Sequence, residues 1–434
     1  MDLVLKNCKT FYRGRIRCID IACGAGKIIS IGKNLTGSET INCNGFFVFP
    51  GLIDVHVHFR VPGAEHKEDW QHGSFAALHG GVTCVLDMPN NNPAIVDTKS
   101  LVTKKKIVGK NALVDYGLYL GASNRITALD ESIREQIAGI KLYMSSAAGE
   151  LLADEDAQRK AFEVASCIGK AIAVHAEDEM TINENEKKFR GKTISVHHLI
   201  RDDVCEAKAI EKATNLAIST GASLHVCHVS SKKGLNVLLP FLKNGKFSCG
   251  VTPHHLFLTE KDATKIGNKA KVNPSIKKRK DQAALIEALR NGLISVVETD
   301  HAPHTEEEKG AEYESAPSGM PGLETMLPLL LDAYNRRLLP LVKIVECCCE
   351  NPARIFGVKS KGQIEVGKDA DFCVVNLKKS HKIRNEGLFT KCGWSAFEGK
   401  KLKGTVEKTI LRGTLCYDNG SIVDSMKGFD VFGG

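Results

Sequence analysis

From about residue 48 onward, short apolar runs rich in β-branched residues recur, each followed by a stretch with helical spacing. There are eight: FVFPGLIDVHVHF, GGVTCVLDMP, ALVDYGLYLGA, AGIKLYM, AIAVHAED, ASLHVCHVSS, FSCGVTPHHL and LISVVETDHAPH. Between them, residues 204–220 and 281–291 carry Ala, Leu, Ile, Glu and Lys at helical spacing, so the order is strand then helix, repeated. Eight such units predict an α/β fold, a closed (β/α)8 barrel of the TIM type. Outside this block the texture changes to short strands and tight turns: DLVLKN, RIRCIDIACGAGKIISIG, GQIEVGKDADFCVVNL and TVEKTILRGTLCYDNG. The organisation this predicts is a barrel over residues 48–357 and a small β-sandwich domain assembled from residues 1–47 and 358–434.

Polar groups interrupt the apolar runs at particular places. His56, His58 and Arg60 close the first run, Asn90 follows the second, and Lys141 lies in the fourth. His175 and Glu177 end the fifth, His228 the sixth, His254 and His255 the seventh, and Asp300, His301 and His304 the eighth. Nearly all fall at C-terminal strand ends, the face on which such barrels carry their chemistry. The period-two spacing of His56 and His58 points both imidazoles to one side of a strand. Alone, that pair is weak evidence, since a histidine in a strand is often a satisfied core residue. With His175, His228 and Asp300 on three other strands it becomes an N/O ligand set suited to zinc or a similar divalent ion. A lone strand lysine such as Lys141 reads as snorkelling or ion-paired. Beside two cations, a lysine that sheds its proton can instead react with carbon dioxide and form an anionic carbamate that bridges them.

Composition narrows the function classes. No stretch approaches the roughly 20 apolar residues of a membrane span, and Lys6, Lys9 and Arg13 interrupt the first residues before an export signal accumulates. The expectation is a cytoplasmic enzyme with no membrane role. Fifteen cysteines are scattered through apolar runs, with a consecutive trio at Cys347, Cys348 and Cys349 and no CxxC pair, which fits buried thiols better than disulfides or a cysteine zinc site. The net charge of +8 comes without a long basic run or a known binding motif, so no nucleic-acid partner is expected; an anionic small substrate suits it equally.

The motifs PGLIDVHVHFRVPGAEHKED, DMPNNNP, HAEDE, HVCHVSS, VTPHHL, ETDHAPHT, PGLET and NPARIFGVKSKGQIEVGKDADF, in this order along the chain, resemble the amidohydrolase superfamily and specifically its dihydroorotases. Single motifs are shared with hydantoinases, dihydropyrimidinases and allantoinases, which remain the alternative readings; a non-catalytic scaffold of the same fold is a remote one. The resemblance implies two Zn2+ per subunit, the first held by His56 and His58, the second by His175 and His228, with carboxylated Lys141 as the bridge. It implies that Asp300 binds the first metal and carries the proton as base and acid. Arg60, Asn90 and His304 would hold the substrate carboxylate, and Asn273 would contact the ring. The implied reaction is the reversible cyclisation of N-carbamoyl-L-aspartate to dihydroorotate in pyrimidine biosynthesis, the hydrolytic water being activated by metal. Some relatives carry an Asp shortly after the lysine position; KLYMSSAAGEL has none, which favours Lys141. Homo-oligomers or association with aspartate transcarbamoylase are further implications. Cys227-His228 is similar to a pair that larger animal relatives can use for an additional zinc, but strand alternation predicts a Cys227 thiol turned away from His228.

Overall fold

The structure, a computed structural model, describes every residue except 125, 127–130, 147–150, 190–192 and 434. All residues of Leu52–Val57 and Val82–Asp87 are buried, which is why these strands read as continuous apolar runs: a parallel sheet is covered on both faces. They pair with each other in parallel, and Val82–Asp87 pairs in parallel with Asp115–Leu118. A second parallel set runs Leu120–Gly121, Ile140–Tyr143, Ala171–His175, Ser223–Val226, Phe247–Val251 and Val296–Val297. The Ala138 N–H donates to the Leu118 carbonyl at 2.8 Å, and the His58 N–H to the His301 carbonyl at 2.8 Å. These two bonds join the sets at both seams and close the barrel, so the expected fold class is borne out. The third apolar run differs in detail: it makes two strands, Asp115–Leu118 and Leu120–Gly121, interrupted at Tyr119.

The helices lie where their periodicity predicted, with ends set by local chemistry. Asp203–Thr220 begins after Asp202, whose carboxylate accepts from the Val204 and Cys205 N–H groups. It stops at Gly221, left-handed at φ 73°, a conformation that costs glycine little. Arg279–Arg290 covers the second helical stretch.

Strands from both chain ends share one nine-stranded sheet. Its seam is Phe47–Pro50, antiparallel to Phe372–Val375 and touching Leu3–Tyr12 at the Lys9/Phe47 pair. The first four residues of the first apolar run therefore belong to this sheet rather than to the barrel. Lys361 ties the sheet to the barrel. Its buried ammonium lies 2.6 Å from Asp115, at the start of a barrel strand, and 2.5 and 3.1 Å from Asp371 and Asp369. Arg412 also pairs with Asp115. These contacts fix the N-terminal end of the barrel and leave its opposite end open.

Candidate metal centre

At the open end the strand termini converge. Asp300 Oδ1 lies 2.9 Å from His58 Nε2 and 3.4 Å from His56 Nε2, and ligand atoms of these three residues lie within 4.8 Å of one another. Beside them, His175 Nδ1 is 3.2 Å from His228 Nε2, and the His56 and His228 rings are 5.1 Å apart. Lys141, fully buried on the neighbouring strand, has its Nζ 3.3 Å from Cys227 Sγ and has no carboxylate partner among the described residues. A cavity of about 980 Å³ opens above this group, lined by every sequence-predicted site residue except Lys141, which lies beneath Tyr143 and Cys227.

Three of these residues have left-handed backbone: Arg60 at φ 65°, His228 at φ 36° and Asp300 at φ 47°. Non-glycine residues rarely enter this region, and holding one there costs on the order of 1–3 kcal/mol. Such outliers cluster where function fixes a side-chain direction. The turn at His228 also corrects the expectation for Cys227. The regular strand ends at Val226, so alternation no longer applies, and both the Cys227 thiol and the His228 imidazole face the centre. Burial pushes that thiol up to about 12, which keeps its proton on. Cys227 forms a second buried group with His56 and Glu298.

The donor chemistry fits a metal. Burial drives the His56 imidazole down to about 4 and the His228 imidazole well below its ordinary range, and it also lowers His175. All three are therefore neutral, the form that ligates. His228 Nδ1 is buried without a hydrogen-bond partner among the described residues, an unsatisfied state that native interiors seldom keep. Burial opposes the charge on Asp300, but the imidazoles of His56 and His58 hold its carboxyl well below the usual carboxylate range. One anion among neutral imidazoles is a set that attracts a cation.

A mostly polar group surrounds the centre. His58 Nδ1 is 2.7 Å from the Asn90 amide oxygen. Arg60 donates through Nε to the Pro303 carbonyl at 3.1 Å, and its Nη2 meets His304 Nε2 at 3.1 Å. Asn273 Oδ1 lies 3.2 Å from His197 Nε2 on the far wall. Three charged residues to which the sequence analysis assigned no role hold the histidines. Glu177 accepts from Arg201 at 2.5 Å and lies 2.9 Å from His175 Nε2. Glu298 accepts the His228 N–H at 2.6 Å and faces His56 Nδ1 at 3.5 Å. Glu177 and Glu298 carried a signal, a charge in or just after an apolar strand; Arg201, between two helices, carried none.

The model of the amidohydrolase family matches residues 47–416. A dihydroorotase of Pyrococcus abyssi is 38% identical over 437 residues, covering 99% of this chain and 98% of the relative. One of Methanosarcina mazei is 36% identical over 412 residues, covering 92% and 90%. Among solved structures, the L-hydantoinase (dihydropyrimidinase) of Arthrobacter aurescens superposes with a TM-score of 0.93 at 30% identity, covering 98% of each chain. With a family model spanning most of its length and relatives named dihydroorotase along nearly all of it, this chain belongs to the amidohydrolase family, in the branch of the dihydroorotases.

Proposed function

We propose that this protein is a dihydroorotase, interconverting N-carbamoyl-L-aspartate and dihydroorotate in cytoplasmic pyrimidine synthesis. One observation carries the choice within the family: the Arg60 guanidinium stands with His304 at the cavity wall, on the side of Asn90 and Asp300. Dihydroorotate carries an exocyclic carboxylate that hydantoin and dihydrouracil lack. A guanidinium grips a carboxylate bidentately. The structural likeness to a hydantoinase favours a second reading, for which the guanidinium at this wall would have no substrate carboxylate to grip.

We further infer that His56, His58 and Asp300 would hold one Zn2+ and His175 and His228 another, with Lys141 as a carbamate between them. Bound there, the ions would lower the pKa of water and polarise the amide carbonyl. Arg60, Asn90 and His304 hold the substrate carboxylate, Asn273 meets the ring, and the substrate cannot tumble. Asp300 takes a proton from the attacking water at its carboxylate and returns it to the departing amide nitrogen, serving as base and then acid. In the direction of synthesis the same proton travels in reverse. Glu177 and Glu298 keep His175 and His56 in their orientations.

The test is an assay of purified protein with dihydroorotate and carbamoyl aspartate in both directions, with hydantoin, dihydrouracil and allantoin alongside. Turnover of the carboxylated pair alone is expected. Faster turnover of hydantoin would replace this reading with the second.

A further inference from the structure

We infer that Tyr143 is a catalytic residue: its phenol donates a hydrogen bond to the oxygen of the ring carbonyl under attack. The inference rests on the dihydroorotase reading and adds a group to it. Tyr143 and Lys141 are alternate residues of the strand Ile140–Tyr143, so both side chains project to the barrel interior, with Tyr143 one step nearer the mouth. The Tyr143 ring lies 4.9 Å from Lys141 Nζ and 6.0 Å from the His175 ring, and it lines the cavity. Its residue is 3% exposed, and its hydroxyl is buried with no hydrogen-bond partner among the described residues. A buried hydroxyl of this kind costs free energy until something fills it. The filler must bring an acceptor into the cavity, because a phenol at neutral pH carries its proton.

The surroundings of the phenol decide which acceptor. Arg60 and His304, which grip the carboxylate, extend from the first and eighth strands beside Asp300, and Tyr143 extends from the fourth into the same cavity, beside Lys141 and His175. A ring anchored by its carboxylate at Arg60 presents its amide to Asp300, and the charges of Asp300 and Arg60 both act on the Tyr143 phenol, so the carbonyl of that amide is the acceptor within its reach. His175 is no rival donor there, since its two nitrogens face His228 and Glu177. In the hydrolytic direction the water oxygen bonds to the ring carbon, and the C=O pair moves onto the oxygen that faces Tyr143. The C–N bond then breaks, the nitrogen takes the proton held by Asp300, and the carbonyl re-forms. Tyr143 keeps its proton throughout; it acts by holding a dipole where negative charge develops.

Tyr143→Phe removes only an oxygen that has no partner among the described residues. Its kcat should fall about 100-fold in both directions, the usual loss of one such donor. Binding of orotate, a ring analogue that cannot be hydrolysed, should change only a few-fold by calorimetry, and metal content and thermal midpoint should stay at wild type. Tyr143→Met should repeat this pattern. Wild-type kcat in Tyr143→Phe would overturn the inference. So would parallel loss of kcat, orotate binding and metal, or misfolding of both variants, either of which would make Tyr143 structural. A wild-type protein that turns over none of the rings would instead overturn the proposed function, and this assignment with it.

Discussion

Asp300 Oδ1 lies 2.9 Å from His58 Nε2 although 242 positions separate the two residues. The seam bond from the His58 N–H to the His301 carbonyl makes that approach possible, because it brings the first and eighth strands side by side. The carboxylate is thereby fixed beside the imidazoles rather than swinging in solvent, as a proton carrier requires. Asp300→Asn keeps the size and loses the proton acceptor. Steady-state kinetics should show turnover reduced by about 10² to 10⁴-fold in a protein that remains folded. Retained turnover would mean that another group carries the proton.

Arg60→Lys should weaken dihydroorotate binding while leaving metal content near normal. Lysine supplies a point charge but not a planar fork, and the lost charge-assisted contact is worth on the order of 1.5 to 3 kcal/mol. The effect should appear in KM. Metal analysis of the same variant separates roles: loss of metal would make Arg60 structural, and the argument for a carboxylated substrate would lose its support.

The barrel was legible because buried parallel strands have no polar face, and the site was legible because His56, His175, His228 and Asp300 break otherwise apolar runs. Periodicity failed where the backbone leaves the strand. Cys227 could not be placed by alternation once His228 turns left-handed, and the same applies to any residue past a strand end. Arg201 was invisible because its role exists only through Glu177, which sequence spacing does not connect to it. Tyr143 looked like one more aromatic of a strand; only the missing partner of its hydroxyl sets it apart.

Lys361→Met should destabilise the fold by about 3–5 kcal/mol, as expected when one partner of a buried charge group is removed and the others are left uncompensated. Asp115, Asp369 and Asp371 surround the ammonium, and their mutual repulsion would be unopposed except by Lys27 and Arg412 at the edges. Urea unfolding measures it. A loss below 1 kcal/mol would mean that the cluster is solvated and does not pin sheet to barrel.

Acid should weaken the protein through its buried neutral histidines. Burial, reinforced by the charge of Arg201, lowers His197 to about 3, and the ring is held by Tyr313 Oη at 2.7 Å and the Val272 carbonyl at 2.9 Å. The folded state binds this proton less readily than the unfolded chain, whose imidazole titrates near 6.5. Its contribution is fully present above about 6.5 and is lost as pH falls from there toward about 3, with a slope of up to roughly 1.4 kcal/mol per pH unit. His254, lowered to about 4 by burial, adds to the upper part of that window. Unfolding free energies of wild type and His197→Asn across this range should converge toward low pH. Parallel curves would show that His197 does not titrate between the two states.

The last prediction concerns Lys141, whose ammonium would be out of place where the structure puts it. It is fully buried, it faces Cys227 and the Tyr143 ring, and no carboxylate among the described residues compensates it. An uncompensated buried charge is among the costliest features a fold can hold, and a cation there would also repel metal from the histidines. Carboxylation reverses the sign of the group and removes both problems at once. Lys141→Ala should therefore lower metal affinity and activity together, whereas a lysine with a merely structural role would cost stability first. Because the missing group is a carboxylate on a short stem, acetate or propionate added to Lys141→Ala should restore part of the activity and of the metal content. Electron density and metal analysis of the wild type decide the matter: a bare lysine beside a single ion in a fully active enzyme would leave His56, His58 and Asp300 as a mononuclear site, with Lys141 outside the chemistry.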